Sequence, residues 1–409
     1  MSIKKFQILK TKRTMSWCLF DFGLSSYPTL ILTFFYGAYY ASNIANDSII
    51  GTTLWGYTIS SASLISFFLF SFLLIYMRNY LKRINTQLFF FFILLMTISS
   101  FSLGFFDEGS NQYIPLIFIF FSFVSFEVLN LFYNISLKRI SKSKDEGFLS
   151  NIGWAFGYLG GLLSLIIVFY FLNYTKNNGY EIFGLSSFSF IGPFVGIWTF
   201  TFCFFHFKNF QNEKFIIPKI DSLYNNFEKA KIKYFLISFF FFNNGIVSIF
   251  AFASMFASFL YNFSETEILF LGIFINLSGI IGCIIFGINE NILGVERNIF
   301  ISILGLTLLS LILLFVDSKI NFWIIAISIG FFIGPIQACS RSLLVEKLKL
   351  SDQMGAFSLF SMLGNVCAIL GPFLVGYVID VSTSIKAGLF IIPLFFLLSI
   401  VPFWRKFNV

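Results

Sequence analysis

Two carboxylic acids stand inside otherwise apolar stretches. Asp21 lies in WCLFDFGLSSYPTLIL and Glu127 in FSFVSFEVLNLFYNIS. An ionisable side chain in hydrocarbon costs about 2.5–3.5 kcal/mol on insertion scales, so such residues mark functional sites by default. The chemistry open to them is the uptake and release of a proton, or the binding of a cationic group on a solute. Glu127 lies 12 residues past Pro115 and 11 before Lys138, near the middle of its stretch. Asn130 and Asn134 follow at i+3 and i+7, so the three share one helix face as a polar stripe. Asp21 is eight residues beyond Arg13, roughly 12 Å along a helix. Ser25 follows at i+4, and Pro28 frees backbone groups nearby.

Uncharged polar groups extend the set. Asn243 and Asn244, with Ser248 at i+4 from Asn244, sit in the stretch FFNNGIVSI, and Gln337 lies one turn before Arg341. These suit hydrogen bonds to a solute or between helices. Blander readings stand beside the functional ones. Glu127 is then a protonated acid bonded to a neighbouring helix, Asp21 an interfacial partner of Arg13 or Arg83, and Arg341 an interfacial anchor.

Other chemistry is poorly supplied. The five cysteines fall in or at the ends of apolar stretches without CxxC spacing and read as small hydrophobes. His206 is the one histidine and cannot build a metal site alone. There is no phosphate-binding loop, HExxH or nucleophile elbow, which argues against an enzyme or an ATP-driven pump. No cofactor or metal is expected.

The scaffold that carries these groups follows from composition. Of 409 residues, 57% are hydrophobic and 11% charged, whereas a soluble domain carries about 25% charged residues. So little charge cannot coat a water-soluble body of this length. A soluble enzyme, a disordered regulator and a nucleic-acid binder are excluded despite the net charge of +8. The solvent, and the principal partner, is membrane lipid. The 64 phenylalanines reflect AT-rich codon usage rather than an aromatic pore.

A spanning helix needs about 20 mostly apolar residues. Twelve such stretches are present: 16–40, 51–77, 86–106, 114–137, 150–172, 187–206, 234–260, 267–288, 298–316, 321–340, 353–379 and 387–404. Alternating strand segments are absent, so the expected fold is all-α with 12 transmembrane helices. With the N-terminus inside, 24 of the 27 Lys and Arg fall in inner segments, and only Lys176, Lys319 and Lys386 fall outside. This asymmetry predicts a multi-pass protein of the cytoplasmic (inner) membrane with both termini cytoplasmic and the first helix retained. Of the 19 acids, all but Asp21 and Glu127 are assigned to loops.

The hydrophilic stretch 207–233 separates six helices from six. The expected organisation is an N-terminal bundle (1–206), a cytoplasmic linker and a C-terminal bundle (234–409). FDFGLSS in the first helix is echoed by FNNGIVS in the seventh. Parallel six-helix repeats around a midplane site are a transporter architecture. Gly153, Gly157 and Gly161 recur every fourth residue, Gly330 and Gly334 precede Pro335, and Gly371 precedes Pro372. These mark close helix packing and bending.

Together these segments resemble the major facilitator superfamily, and within it the vacuolar-effluxer-like, autophagy-related branch and its bacterial counterparts. The carrying segments are WCLFDFGLSSYPTLIL, LFYNISLKRI with SNIGWAFGYLGG, FFNNGIVSI, GPIQACSRSLL and LGNVCAILGPFLVGYVID. The resemblance implies alternating access, with helices one, four, seven and ten around a central cavity. Asp21, the Glu127–Asn134 stripe, Asn243 with Asn244, and Gln337 with Arg341 fall on one helix each of that set. There are departures. The loop between helices two and three reads MRNYLKRIN and lacks the family's glycine and acid; Asn291 and Asn244 stand where acids are common.

The expected function is secondary-active transport of a small solute by a monomer. The resemblance points to amino-acid export with H+ coupling. Glu127 and Asp21 would bind the substrate amine or a proton, with Asn130, Asn134, Asn243, Asn244 and Gln337 supplying hydrogen bonds. The alternatives are a sensor or assembly partner that keeps the fold without transport, and a lipid transporter.

Overall fold

Backbone N–H and C=O groups in hydrocarbon find no water, so each apolar stretch must satisfy them internally, and a helix does so. The computed structural model describes residues 11–46, 48–80, 85–140, 146–178, 189–210, 232–348, 350–382 and 384–407. The basic leader up to residue 10 and most of the linker, 211–231, lie outside them.

The first rod is composite. Helix α1 (Lys12–Leu24) leads through Pro28 into a π-helical segment (Pro28–Phe34), then α2 (Tyr36–Tyr39) and a second π-helical segment (Tyr40–Ile44). Pro28 has no N–H to give to an i−4 carbonyl, and the chain widens there instead of stopping. Five straighter rods complete the first bundle: α3 (Ser48–Tyr80), α4 (Asn85–Ser102), α5 (Tyr113–Ile140), α6 (Glu146–Asn178) and α7 (Ile191–Phe210).

The second bundle comprises α8 (Ile232–Tyr261), α9 (Glu265–Leu293), α10 (Val295–Leu313), α11 (Lys319–Lys347), α12 (Leu350–Ser382) and a last rod of α13 (Ile385–Leu389) with α14 (Ile391–Phe407). Among the described residues, nine helices are long and apolar enough to cross a membrane, and two shorter apolar stretches, Tyr57–Phe70 and Ile191–Phe204, accompany them. Each of the twelve expected stretches contains a helix.

The caps are local chemistry. Ser264 and Glu267 form a capping box at the start of α9, and Ser318 caps α11. Gly294 alone separates α9 from α10, at φ +82°, a conformation open to glycine and strained for other residues.

The same packing scheme occurs twice. In the first bundle α1 packs on α6 and α7, α4 on α5 and α7, and α3 on α5. In the second, α8 packs on α12 and α14, α10 on α11 and α14, and α9 on α11. Between bundles the main contacts are α6 with α9, α3 with α12 and α6 with α11; the first two are equivalent pairs under that correspondence. The chain is therefore two pseudo-symmetric six-helix bundles. Even rod number brings both described ends to one end of the molecule, called here the terminal-bearing end. Outward faces carry exposed Phe68, Phe373, Tyr377 and Trp404, side chains suited to lipid contact.

Candidate functional site

The site begins where α1 lies against α6. Trp17, Asp21, Ser25 and Thr29 recur every fourth residue of the first rod and face Gly153, Gly157 and Gly161. Gly153 meets the Trp17 ring and the Tyr133 hydroxyl. A Cβ on Gly157 would lie 2.8 Å from Ser25 Oγ and 3.0 Å from Asp21 Oδ2. Gly161 faces Thr29 Oγ1 and, across the bundle interface, Asn276 Oδ1. Gly160 approaches the Phe22 carbonyl still more closely. The absent side chains let a polar face of α1 press on α6. Ser25 Oγ donates to Asp21 Oδ1 at 3.3 Å.

Towards the terminal-bearing end, Arg341 reaches from α11 into the first bundle. It is only 2% exposed. Its Nε donates to Ser150 Oγ (2.9 Å), Nη1 to Asn134 Oδ1 (3.2 Å) and Nη2 to the Ser150 carbonyl (2.8 Å). Its guanidinium lies 4.8 Å from the Tyr133 ring centroid and 5.1 Å from that of Trp17. The charge also acts on the Asp21 carboxyl. Arg341 is thus buried between the bundles and bonded to both α5 and α6. Ser150 returns a bond through Oγ to the Ala338 carbonyl (2.7 Å).

Next to Ser150, Asn151 Nδ2 donates to Glu290 Oε2 at 2.9 Å. The assignment of Glu290 and Glu146 to loops is corrected here. Both are helical and buried, because α6 and α9 extend past the apolar stretches that define them in sequence. Gly147 makes room for the Glu290 carboxylate.

Glu127 and Asn130 have a different setting. They are half-buried on α5, which packs against α11 and α12 of the other bundle, and have no hydrogen bond or ion pair among the described residues. Tyr27, whose hydroxyl is 2.8 Å from Ser122 Oγ, lies close enough to feel the Glu127 charge. Asn134, the third member of the stripe, is taken up by Arg341.

On the second bundle, Gln337 Nε2 donates to Asn243 Oδ1 at 2.9 Å and joins α11 to α8. Asn244 has different partners. It is fully buried, and its Nδ2 donates to the Phe240 carbonyl and to Cys367 Sγ of α12. Gly371 abuts Asn244 and Ser248, with Pro372 next in the same helix; Gly330 abuts Ser278 and Ile275, and Gly334 abuts Cys283 and Tyr158. One turn before Gln337, Ile333 helps line an apolar cavity of about 70 Å³ with Thr33, Phe34 and Ile249. Among the described residues no three His, Cys, Asp or Glu side chains come together as a metal site.

Sequence reasoning passed over Trp17, Tyr133, Ser150, Asn151 and Glu290. The first four lie in the segments that carry the family resemblance, but their types alone do not separate packing from function.

Comparison with known proteins agrees with this fold. The family model described as "Vacuole effluxer Atg22 like" matches residues 59–406. An uncharacterized MFS-type transporter, YxiO of Bacillus subtilis (strain 168), is 22% identical over 412 residues, covering 96% of this chain and 94% of its own. Autophagy-related protein 22 of Pichia angusta is 30% identical over 90 residues, 22% of this chain and 16% of that protein. The human organic anion transporter MFSD10 has a TM-score of 0.73 at 10% identity, with 97% of this chain and 99% of that one covered. The transporter FucP, in its outward conformation, has a TM-score of 0.70 at 12% identity, with 96% and 98% covered. The chain is a multi-pass membrane protein that belongs to the Atg22-like vacuole effluxer family of the major facilitator superfamily.

Proposed function

We propose that this chain is a secondary-active transporter that moves a small solute by alternating access, the halves 1–206 and 234–409 rocking about the cleft between them while 207–233 connects them. The observation that carries this reading is Glu127, a carboxylic acid without a partner among the described residues, on a helix that faces the other bundle. A buried charge with no structural partner is expensive, and a ligand or proton that neutralises it lowers that cost. Asn130 is one turn away, and Gln337 with Asn243 presents amide groups from the opposite bundle.

The Atg22-like relationship supports export and an amino-acid substrate, and Glu127 would bind its amine or a coupled proton. Asp21, packed on the glycine face of α6 and within reach of the Arg341 charge, is the second proton-coupling candidate. The Lys and Arg asymmetry supports an inner-membrane location with both termini cytoplasmic, and the chain would act as a monomer. Flux of labelled amino acids in proteoliposomes under an imposed pH gradient tests this. Wild-type flux should follow the gradient and Glu127→Gln should not. Gradient-driven flux that survives Glu127→Gln unchanged removes Glu127 from the mechanism.

A further inference from the structure

Ser150 and Asn151 are neighbours in the first two turns of α6, and each holds a charged residue from the opposite bundle. Ser150 takes Arg341 of α11 through both its hydroxyl and its carbonyl. Asn151 takes Glu290 of α9 through its amide nitrogen. Gly147, one turn earlier, is the space into which the Glu290 carboxylate fits. The backbone of α11 is tied in as well, by the bond from Ser150 to the Ala338 carbonyl and by Asn151 Nδ2 lying 3.7 Å from Cys339 Sγ. All of these side chains are buried, and all lie towards the terminal-bearing end.

We propose that Ser150 and Asn151 form a two-pronged latch that holds the terminal-bearing end of the cleft shut, and that Arg341 serves this closure instead of binding solute. The proposal rests on the alternating-access reading above. Three of the five Arg341 donors are engaged across the bundle interface, both aromatic neighbours lie within 5.1 Å of its guanidinium, and almost none of its surface is exposed, so with this end closed it is covered by protein. The prongs themselves are a hydroxyl, a carbonyl and an amide. When the bundles part, water can take over each of these bonds, so the latch can release. The positions are also cross-wired. Pulling α11 away breaks the Ser150 prong, and pulling α9 away breaks the Asn151 prong, so the two helices of the second bundle leave together.

Cys339 supplies a native reporter, because it is fully buried beside the latch and opening exposes it. In a chain with Cys18, Cys203, Cys283 and Cys367 replaced by Ala, the alkylation rate of Cys339 by N-ethylmaleimide is measured in proteoliposomes. Variants whose thermal midpoint matches the background are scored. Ser150→Ala and Asn151→Ala should each raise the rate about tenfold, equivalent to about 1.4 kcal/mol of lost closure. Gly147→Ala, which displaces Glu290, should do the same, and Arg341→Lys covers the case in which Arg341→Ala does not fold. Rates within twofold of the background in every scored variant overturn the latch. So does an equal rise at Cys203 in a Cys203-only chain, since that residue sits in the α1–α7 contact inside one bundle and reports general loosening. Because labelling needs no solute, a chain that labels as expected but carries no flux keeps the latch and sinks the transport reading. Gradient-driven flux with unchanged labelling does the reverse.

Discussion

Trp17 and Tyr133 stack with their ring centroids 4.3 Å apart and their planes 15° from parallel, and the indole Nε1 donates to the Tyr133 carbonyl at 3.1 Å. The pair ties α1 to α5 inside the first bundle. It also approaches Arg341 of the second bundle, whose guanidinium lies within 5.1 Å of both ring centroids. The platform is therefore part of one bundle's core and part of the contact between bundles.

Removing the platform should cost stability from both roles. An aromatic pair contributes about 0.5–1.5 kcal/mol beyond its buried area, and a desolvated cation over a ring about 0.5–2 kcal/mol. Tyr133→Leu should thus lower the unfolding free energy by about 1–3 kcal/mol, read as a lower thermal midpoint in detergent. Tyr133→Phe, which keeps the ring, should lose much less. Equal losses for the two would show that stacking is not what matters there.

The glycine face of α6 predicts a ranking. Gly160→Ala places a methyl against the Phe22 carbonyl, and Gly157→Ala places one against Ser25 and Asp21. Overpacking of this kind costs about 1–3 kcal/mol, with Gly160→Ala the worse because backbone cannot step aside. A Cβ on Gly364 would meet nothing within 4 Å among the described residues, so Gly364→Ala should melt no lower than the parent. Matched midpoints for all three would contradict the close α1–α6 contact.

Gln337 and Asn243 form one bond between α11 and α8, so their substitutions should not add. Either single change to Leu leaves a polar partner stranded, at about 1–3 kcal/mol. The double change should recover part of that loss. A double-mutant cycle on thermal stability measures it, and strict additivity would mean the bond contributes nothing.

Glu127 predicts a pH signature. If the acid carries the coupled proton, Glu127→Gln mimics its protonated form permanently. Uptake against a solute gradient should then vanish, while exchange of solute for solute, which needs no net proton movement, should persist and lose its pH dependence. Loss of exchange as well would assign Glu127 to solute binding.

The spans were legible because hydrocarbon imposes one rule on every residue it touches: the expected stretch 298–316 lies over the helix Val295–Leu313, and 114–137 lies within Tyr113–Ile140. What a window of apolar residues cannot show is how far a helix runs beyond the membrane. That is why Glu290 reads as a loop acid although it is helical and buried. Partner choice is equally hidden. Asn243 and Asn244 are adjacent and identical in type, yet the 100° step between them turns one to Gln337 and the other to Cys367. Arg341 looks like an anchor because its sequence neighbours say nothing about Ser150, which is 191 residues away. The π-helical segments of the first rod leave no pattern beyond Pro28 itself.

That first rod is fastened at both extremities. Near its start, Trp17 is bonded to the backbone of α5; near its finish, the hydroxyls of Tyr36 and Tyr40 donate to the carbonyls of Leu103 and Gln112. A beam clamped at two points bends between them, and between these clamps lies the widened turn of Pro28–Phe34, against which Gly272 of the second bundle rests through Phe34. Motion of one bundle over the other would then be absorbed in this short elastic joint, leaving the clamped portions to travel as rigid pieces of their own half.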